Sequence, residues 1–194
     1  MVFDIRTKFM WPLSANGVVY DKWLIMESER KIGHKAYLLL GSNLGDRAKM
    51  IEAAREKLNE QSEVVGASAI YRTEPWKMDS DQWFFNQVVE VETPMDARKL
   101  LSYILEVERS LGRDRDGEPT EGYTSRTIDI DILYFDDEVI DDDQLTIPHP
   151  RLQERRFALA PMVELAPSLL HPVLKQSQFE LLRNCPDQSF LELI

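Results

Sequence analysis

One cysteine, Cys185, occurs in 194 residues. A lone thiol excludes an intrachain disulfide and a Cys-rich zinc site, and it suits a reducing cytosol. Histidine is nearly as scarce: His34, His149 and His171 lie too far apart in sequence to read as a metal cluster. Positive charge is also in deficit. Lys and Arg number 23 against 34 Asp and Glu, a formal net charge of −11. Long-range repulsion then opposes generic binding to nucleic acid or to an anionic membrane. A polyanionic ligand would need local arginines or a metal ion. No apolar run approaches the about 20 residues of a membrane span. Asp4, Arg6, Lys8, Asp21 and Lys22 interrupt every apolar run near the start, so no secretory leader is expected. Two nucleotide-binding signatures are missing as well: Gly-x-x-x-x-Gly-Lys-Ser/Thr, and a Gly-x-Gly-x-x-Gly after a strand.

What is present is one domain's worth of sequence, 43% hydrophobic. Residues 1–33 show no clear period and are broken by Pro12, Asn16 and Gly17. They read as an N-terminal extension outside a core spanning 34–194; Met26, before a polar stretch, also suits a native start. Residues 36–40 read as a buried strand ending at Gly41. Asp46 opens a helical pattern through Met50, Ile51, Ala54 and Leu58. Residues 64–71 and 83–91 read as further strands. Thr93-Pro94 reads as the cap and first position of a helix that stops at Gly112. Residues 113–125 form a polar loop carrying Gly117 and Gly122. Residues 126–135 alternate as a strand, Asp136-Asp137 turns, and 138–140 are expected to return as a hairpin. Strands joined both by helices and by hairpins imply an α+β fold with a mixed or antiparallel sheet.

The sharpest feature is Arg126-Thr127-Ile128-Asp129-Ile130-Asp131. Side chains at i and i+2 of a strand share a face, so two carboxylates repel each other a few ångströms apart. A divalent cation relieves that repulsion, and hard oxygen ligands suit Mg²⁺. Two such ions can neutralise charge in phosphoryl transfer. The same pattern also fits a solvated strand face with two surface acids. Arginines flank the pair: Arg113, Arg115 and Arg126 up to it, Arg151, Arg155 and Arg156 after it. Guanidinium forks match phosphate oxygens bidentately. Trp83, Phe84 and Phe85 run consecutively before Asn86, and Phe157 follows later. A planar heterocycle could stack on such rings and be read by an amide, although aromatic strand residues commonly belong to the core.

In order along the chain, these stretches resemble the 6-hydroxymethyl-7,8-dihydropterin pyrophosphokinases of folate biosynthesis. The matching pieces run from residues 36–45 through Tyr71-Arg72-Thr73-Glu74-Pro75, Phe84-Phe85-Asn86, Gly112-Arg113, the strand 126–131 and Ile147-Pro148-His149-Pro150 to Arg155 and Phe157. The resemblance covers about residues 35–185. It implies a ferredoxin-like three-layer α/β/α sandwich around a mainly antiparallel sheet. It implies transfer of pyrophosphate from ATP to the pterin alcohol, with AMP leaving. By the same resemblance, Asp129 and Asp131 bind two Mg²⁺ ions. Phe84 and Phe157 stack on the pterin, Thr73, Asn86 and the backbone at Trp76 read its edge, and Tyr123 covers it. Arg113, Arg126, His149 and Arg155 contact nucleotide phosphates, Glu108, Ile132 and Thr146 lie along the nucleotide, and Arg115 belongs to a closing catalytic loop. The departures are Glu74 in place of proline, Tyr123 in place of tryptophan, Gln144 in place of arginine, and Leu105 in place of a polar contact. The implied partners are small molecules in the cytoplasm, with no nucleic acid, membrane or protein partner. The competing readings are a metal-dependent phosphohydrolase or nucleotidyl-transfer enzyme on the same Asp pair, and a ferredoxin-like RNA-binding module.

Overall fold

The structure, a computed structural model, describes residues 33–77, 81–113 and 126–194. Of the extension read over 1–33, all but Gly33 lies outside the described residues, as do Arg115, Tyr123 and nearly all of the 113–125 loop.

The longest strands are the most apolar stretches. β1 (His34–Ser42) is buried over its last seven residues, and it lies between β4 (Phe84–Thr93) and β5 (Asp129–Phe135). β3 (Tyr71–Thr73) continues the sheet beyond β4, and β8 (Leu191–Leu193) closes that side; β2 (Glu63–Ala67) also pairs with β4. Every pairing in this six-stranded sheet is antiparallel. Strand alternation then sorts the side chains. Ala36, Leu38, Leu40, Val89, Val91, Ile130, Ile132 and Phe135 form one core with helices α1 (Arg47–Leu58) and α2 (Ala97–Ser110). On the other face Tyr37, Leu39, Val88, Leu133 and Tyr134 pack against α3 (Arg156–Leu165) and α4 (Gln178–Asn184). Truncating a fully buried Leu such as Leu38 or Leu40 in such a core costs roughly 2–5 kcal/mol. The result is the expected three-layer sandwich. Among the described residues, no helix is long and apolar enough to cross a membrane.

Several local expectations are corrected. The stretch 64–71 is not one strand: Ser68 breaks it, accepting the Val88 N–H at 3.1 Å through its hydroxyl and the Gln87 side-chain N–H at 2.6 Å through its carbonyl. Helix α2 is capped by Asp96, whose carboxylate accepts the Lys99 N–H at 2.9 Å, not by Thr93. Thr93 instead stays buried at the end of β4. The return after Asp136 does not pair with β5. β6 (Ile140–Asp141) pairs with β7 (Thr146–Ile147) in a separate two-stranded ribbon. The helix stop at Gly112 is as expected, with φ 84° in the left-handed region that glycine occupies without strain.

The fold also answers one departure. Glu74, standing where proline was expected, accepts the Phe190 N–H at 2.8 Å and returns its own N–H to the Phe190 carbonyl at 3.3 Å. The chain after β3 is therefore tied to the C-terminal segment by hydrogen bonds rather than by a proline ring.

Candidate active site

The strand registers put Asp129, Gly41, Asn86 and Tyr71 in one line across β5, β1, β4 and β3. Directly opposite residues share a face in an antiparallel pair. The next line on that face runs Asp131, Leu39 and Val88, and its apolar members are already covered by α3. The site occupies the part of the face where α3 begins.

Asp129 and Asp131 lie on this face, 23% and 30% exposed, while Ile130 and Ile132 point into the opposite core. Asp129 meets two arginines: Arg113 on one oxygen and Arg126, at 2.5 Å, on the other. Asp131 accepts from Arg155 at 2.9 Å. His149 Nε2 stands 3.7 Å from the same Asp131 oxygen, beyond hydrogen-bond range. Burial and the adjacent Asp131 carboxylate push the Asp129 carboxyl up, against the pull of Arg126 and Arg113. Burial also acts to raise Asp131, but His149 and Arg155 outweigh it and hold that carboxyl below the ordinary range. Burial lowers the His149 imidazole to about 4, so at neutral pH Arg155 is the cation that counts for Asp131. The neutral ring accepts the Arg151 N–H at Nδ1, 3.2 Å away, which puts its own proton on Nε2, toward Asp131.

The arginines are held from behind. Glu108, 1% exposed on α2, accepts from Arg113 at 2.7 Å and from the Ile130 N–H at 2.8 Å. That second bond satisfies an otherwise open edge of β5; further along the strand the His149 N–H donates to the Leu133 carbonyl at 3.0 Å. Asn43 clamps the Arg126 backbone. Its side-chain oxygen accepts the Arg126 N–H at 2.7 Å, and its own N–H donates to the Arg126 carbonyl at 3.2 Å. Asn43 was not singled out in the sequence. Its role depends on a contact 83 positions away, so no local signal marks it.

The expected pterin readers also come together. Thr73 and Phe84 are opposite one another on β3 and β4, and the Asn86 side-chain N–H donates to the Thr73 hydroxyl at 2.7 Å with both residues buried. Phe157, in the first turn of α3, meets Trp76 edge-on with ring centroids 6.1 Å apart. Phe85, by contrast, joins the core under α1 and α2, so of the three consecutive rings only Phe84 shares the Asn86 face. Gly41 has a specific reason to be glycine: a Cβ there would stand 3.0 Å from the Asn86 side-chain oxygen. Gly41→Ala should disturb the Asn86–Thr73 pair and weaken pterin binding about fivefold, the equivalent of roughly one hydrogen bond. Calorimetric titration with pterin measures this; unchanged affinity would show that Asn86 relaxes freely.

The expected nucleotide residues are less clustered. Ile132 is in the helix-side core, 6% exposed, and Thr146 sits on β7. Gln144 is exposed beside Asp142, whose carboxylate accepts its N–H at 3.0 Å.

A shared face bearing two carboxylates, flanked by fixed arginines and a buried amide–hydroxyl pair, is the geometry the motifs required. The family model for 7,8-dihydro-6-hydroxymethylpterin-pyrophosphokinase matches residues 37–167. The chain belongs to this pyrophosphokinase family. It is 40% identical over 138 residues to the 2-amino-4-hydroxy-6-hydroxymethyldihydropteridine pyrophosphokinase of Methylorubrum extorquens, covering 70% of this chain and 85% of that one. It is 38% identical over 140 residues to the Aquifex aeolicus enzyme of the same name, covering 72% and 85%. Among solved structures, Plasmodium falciparum HPPK-DHPS, wild type with pteroate, superposes with a TM-score of 0.64 at 17% identity. That match spans 81% of this chain and 45% of the Plasmodium chain, and it carries the fold alone. As a member of the pyrophosphokinase family, the chain catalyses the pyrophosphate transfer from ATP to 6-hydroxymethyl-7,8-dihydropterin in folate biosynthesis.

Proposed function

We propose that the transfer takes place over the face of β5 bearing Asp129 and Asp131, with two Mg²⁺ ions held by those carboxylates. The observation that carries this reading is the pair of aspartates on one strand face, each already opposed by guanidinium. The donor set fits the metal: carboxylate oxygens are hard ligands, and Mg²⁺ takes few protein ligands beside water and phosphate oxygens. Bound there, magnesium supplies electrophilic neutralisation of the phosphate oxygens.

The chain's own residues do the rest. Arg113 and Arg155 present forks already held by Glu108 and Asp131, and Arg126 stands on a backbone clamped by Asn43, so little order is lost when they turn to phosphate. His149 serves as a neutral donor through Nε2. Thr146 borders the nucleotide, Glu108 acts through Arg113, and Ile132, whose side chain lies in the opposite core, contributes by its backbone alone. Phe84 and Phe157 stack on the pterin, while Thr73, Asn86 and the Trp76 backbone read its edge. Arg115 and Tyr123, which the resemblance assigns to the substrates, lie outside the described residues. Residues 34–194 make up the catalytic domain, and 1–33 an extension outside it. A phosphohydrolase on the same aspartates would leave the buried Asn86–Thr73 pair without a ligand.

The pterin half is tested by Phe84→Ala and Phe157→Ala. Each should weaken pterin binding by roughly 1–3 kcal/mol, the scale of aromatic stacking on a base, and change ATP binding much less. Calorimetry with each ligand separates the two; equal losses for both would return the rings to a core role.

A further inference from the structure

Trp76 enters the reading so far only through its backbone. Its indole, however, is surrounded by positive charge. Lys77 Nζ stands 4.3 Å from the ring, the Arg155 guanidinium 5.3 Å and the Arg151 guanidinium 5.5 Å. All lie within the about 6 Å over which a ring quadrupole attracts a cation. Phe157 completes the surround, edge-on at 6.1 Å. The segment carrying the indole is constrained on both sides. Glu74 is bonded to Phe190, and Lys77 holds a φ of 52° while its ammonium reaches Glu154 at 3.4 Å. A left-handed φ is unfavourable for a residue with a Cβ and persists where the surroundings over-determine it.

Three cations gathered at one place repel one another. Asp131 and Glu154 offset part of that repulsion through Arg155 and Lys77. A further carboxylate could offset the rest, but it would then compete with phosphate for the same guanidiniums. An indole face attracts cations without presenting such a competitor.

We propose that the Trp76 indole is a positioning residue for the nucleotide, gathering Arg151 and Arg155 before the polyphosphate arrives and joining them to the Phe157 wall. This rests on the assignment of Arg155 to nucleotide phosphate and of Phe157 to pterin. The indole makes Arg151, which the family resemblance left without a role, part of the phosphate side.

The test is calorimetric titration of the full chain with a non-hydrolysable ATP analogue and Mg²⁺, with no pterin present. Trp76→Leu should weaken nucleotide binding about five- to tenfold, in keeping with the loss of cation–π contacts to two guanidiniums. Trp76→Phe, which keeps a π-face, should stay within about twofold of the parent. In turnover, Trp76→Leu should raise KM for ATP more than it lowers kcat. Should Trp76→Leu unfold, as read by its thermal melt, Trp76→Met replaces it, a longer and more adaptable side chain without a π-face. Nucleotide affinity unchanged in the leucine or methionine variant, with Arg155→Ala clearly weakened, overturns the indole's role and leaves the phosphate assignment standing. Parental affinity in Arg155→Ala would instead remove the phosphate assignment, and the inference with it.

Discussion

Asp129→Asn and Asp131→Asn should each lower kcat by about 100-fold or more, at least about 2.7 kcal/mol of lost transition-state stabilisation. Asparagine keeps the shape and one acceptor oxygen, so Arg155 retains a neutral partner in place of its bond at 2.9 Å, while of the two arginines on Asp129 only one does. What it removes is the charge that holds a divalent cation. The two substitutions should differ in detail. Asp131 is held ionised, with Arg155 the opposing cation at neutral pH, while burial and its neighbour push Asp129 up. Their repulsion is mutual, so removing either charge favours the ionised form of the other; the gain matters more for Asp129, the carboxyl that is pushed up. Turnover measured against Mg²⁺ concentration should show the requirement moving to higher metal in both variants, and chelation of the metal should abolish turnover in the parent. Circular dichroism should be unaltered, because both side chains are partly exposed and neither belongs to a core cluster. Near-normal kcat in either variant at saturating Mg²⁺ would remove that aspartate from the metal site.

The site's chemistry was legible where local pattern decides geometry. The alternation of Ile128, Ile130 and Ile132 with Asp129 and Asp131 defines a strand with one apolar face, and β5 has that form. The apolar run over 36–40 likewise became the central strand β1. What escaped the sequence depends on contacts far apart along the chain. Asn43 binds Arg126 across 83 positions, and no local pattern announces it. The break at Ser68 is invisible in a β-prone stretch because it depends on Gln87 and Val88 of another strand. Thr93-Pro94 carries a helix-start signal, yet β4 keeps Thr93, and Asp96 three residues later satisfies the first turn instead. Trp76 shows the same limit at a single residue: its backbone role came from the resemblance, while two of the three charges around its ring come from residues 75 and 79 positions away.

Glu108→Ala should destabilise the fold by about 3–5 kcal/mol, the range for breaking a buried ion pair from one side. The carboxylate is 1% exposed and faces an Arg113 side chain that is 5% exposed. It is also the acceptor for the Ile130 N–H, so alanine strips a partner from the β5 edge between the two aspartates. Asp129 would remain as a partner for Arg113, which moderates the loss of the ion pair but draws the guanidinium toward the reacting face. For a domain of this size the loss corresponds to a fall in Tm of roughly 10 °C. Glu108→Gln, which can still accept the Ile130 N–H, should lose less, about 1–3 kcal/mol. Thermal melts of both variants, alongside kcat and KM for ATP, separate two roles for the residue. If Glu108 acts through Arg113, stability and kcat fall together, and glutamine recovers part of both. If it instead contacts the nucleotide directly, KM for ATP rises while Tm hardly moves, and the buried pair with Arg113 would then contribute little to the fold.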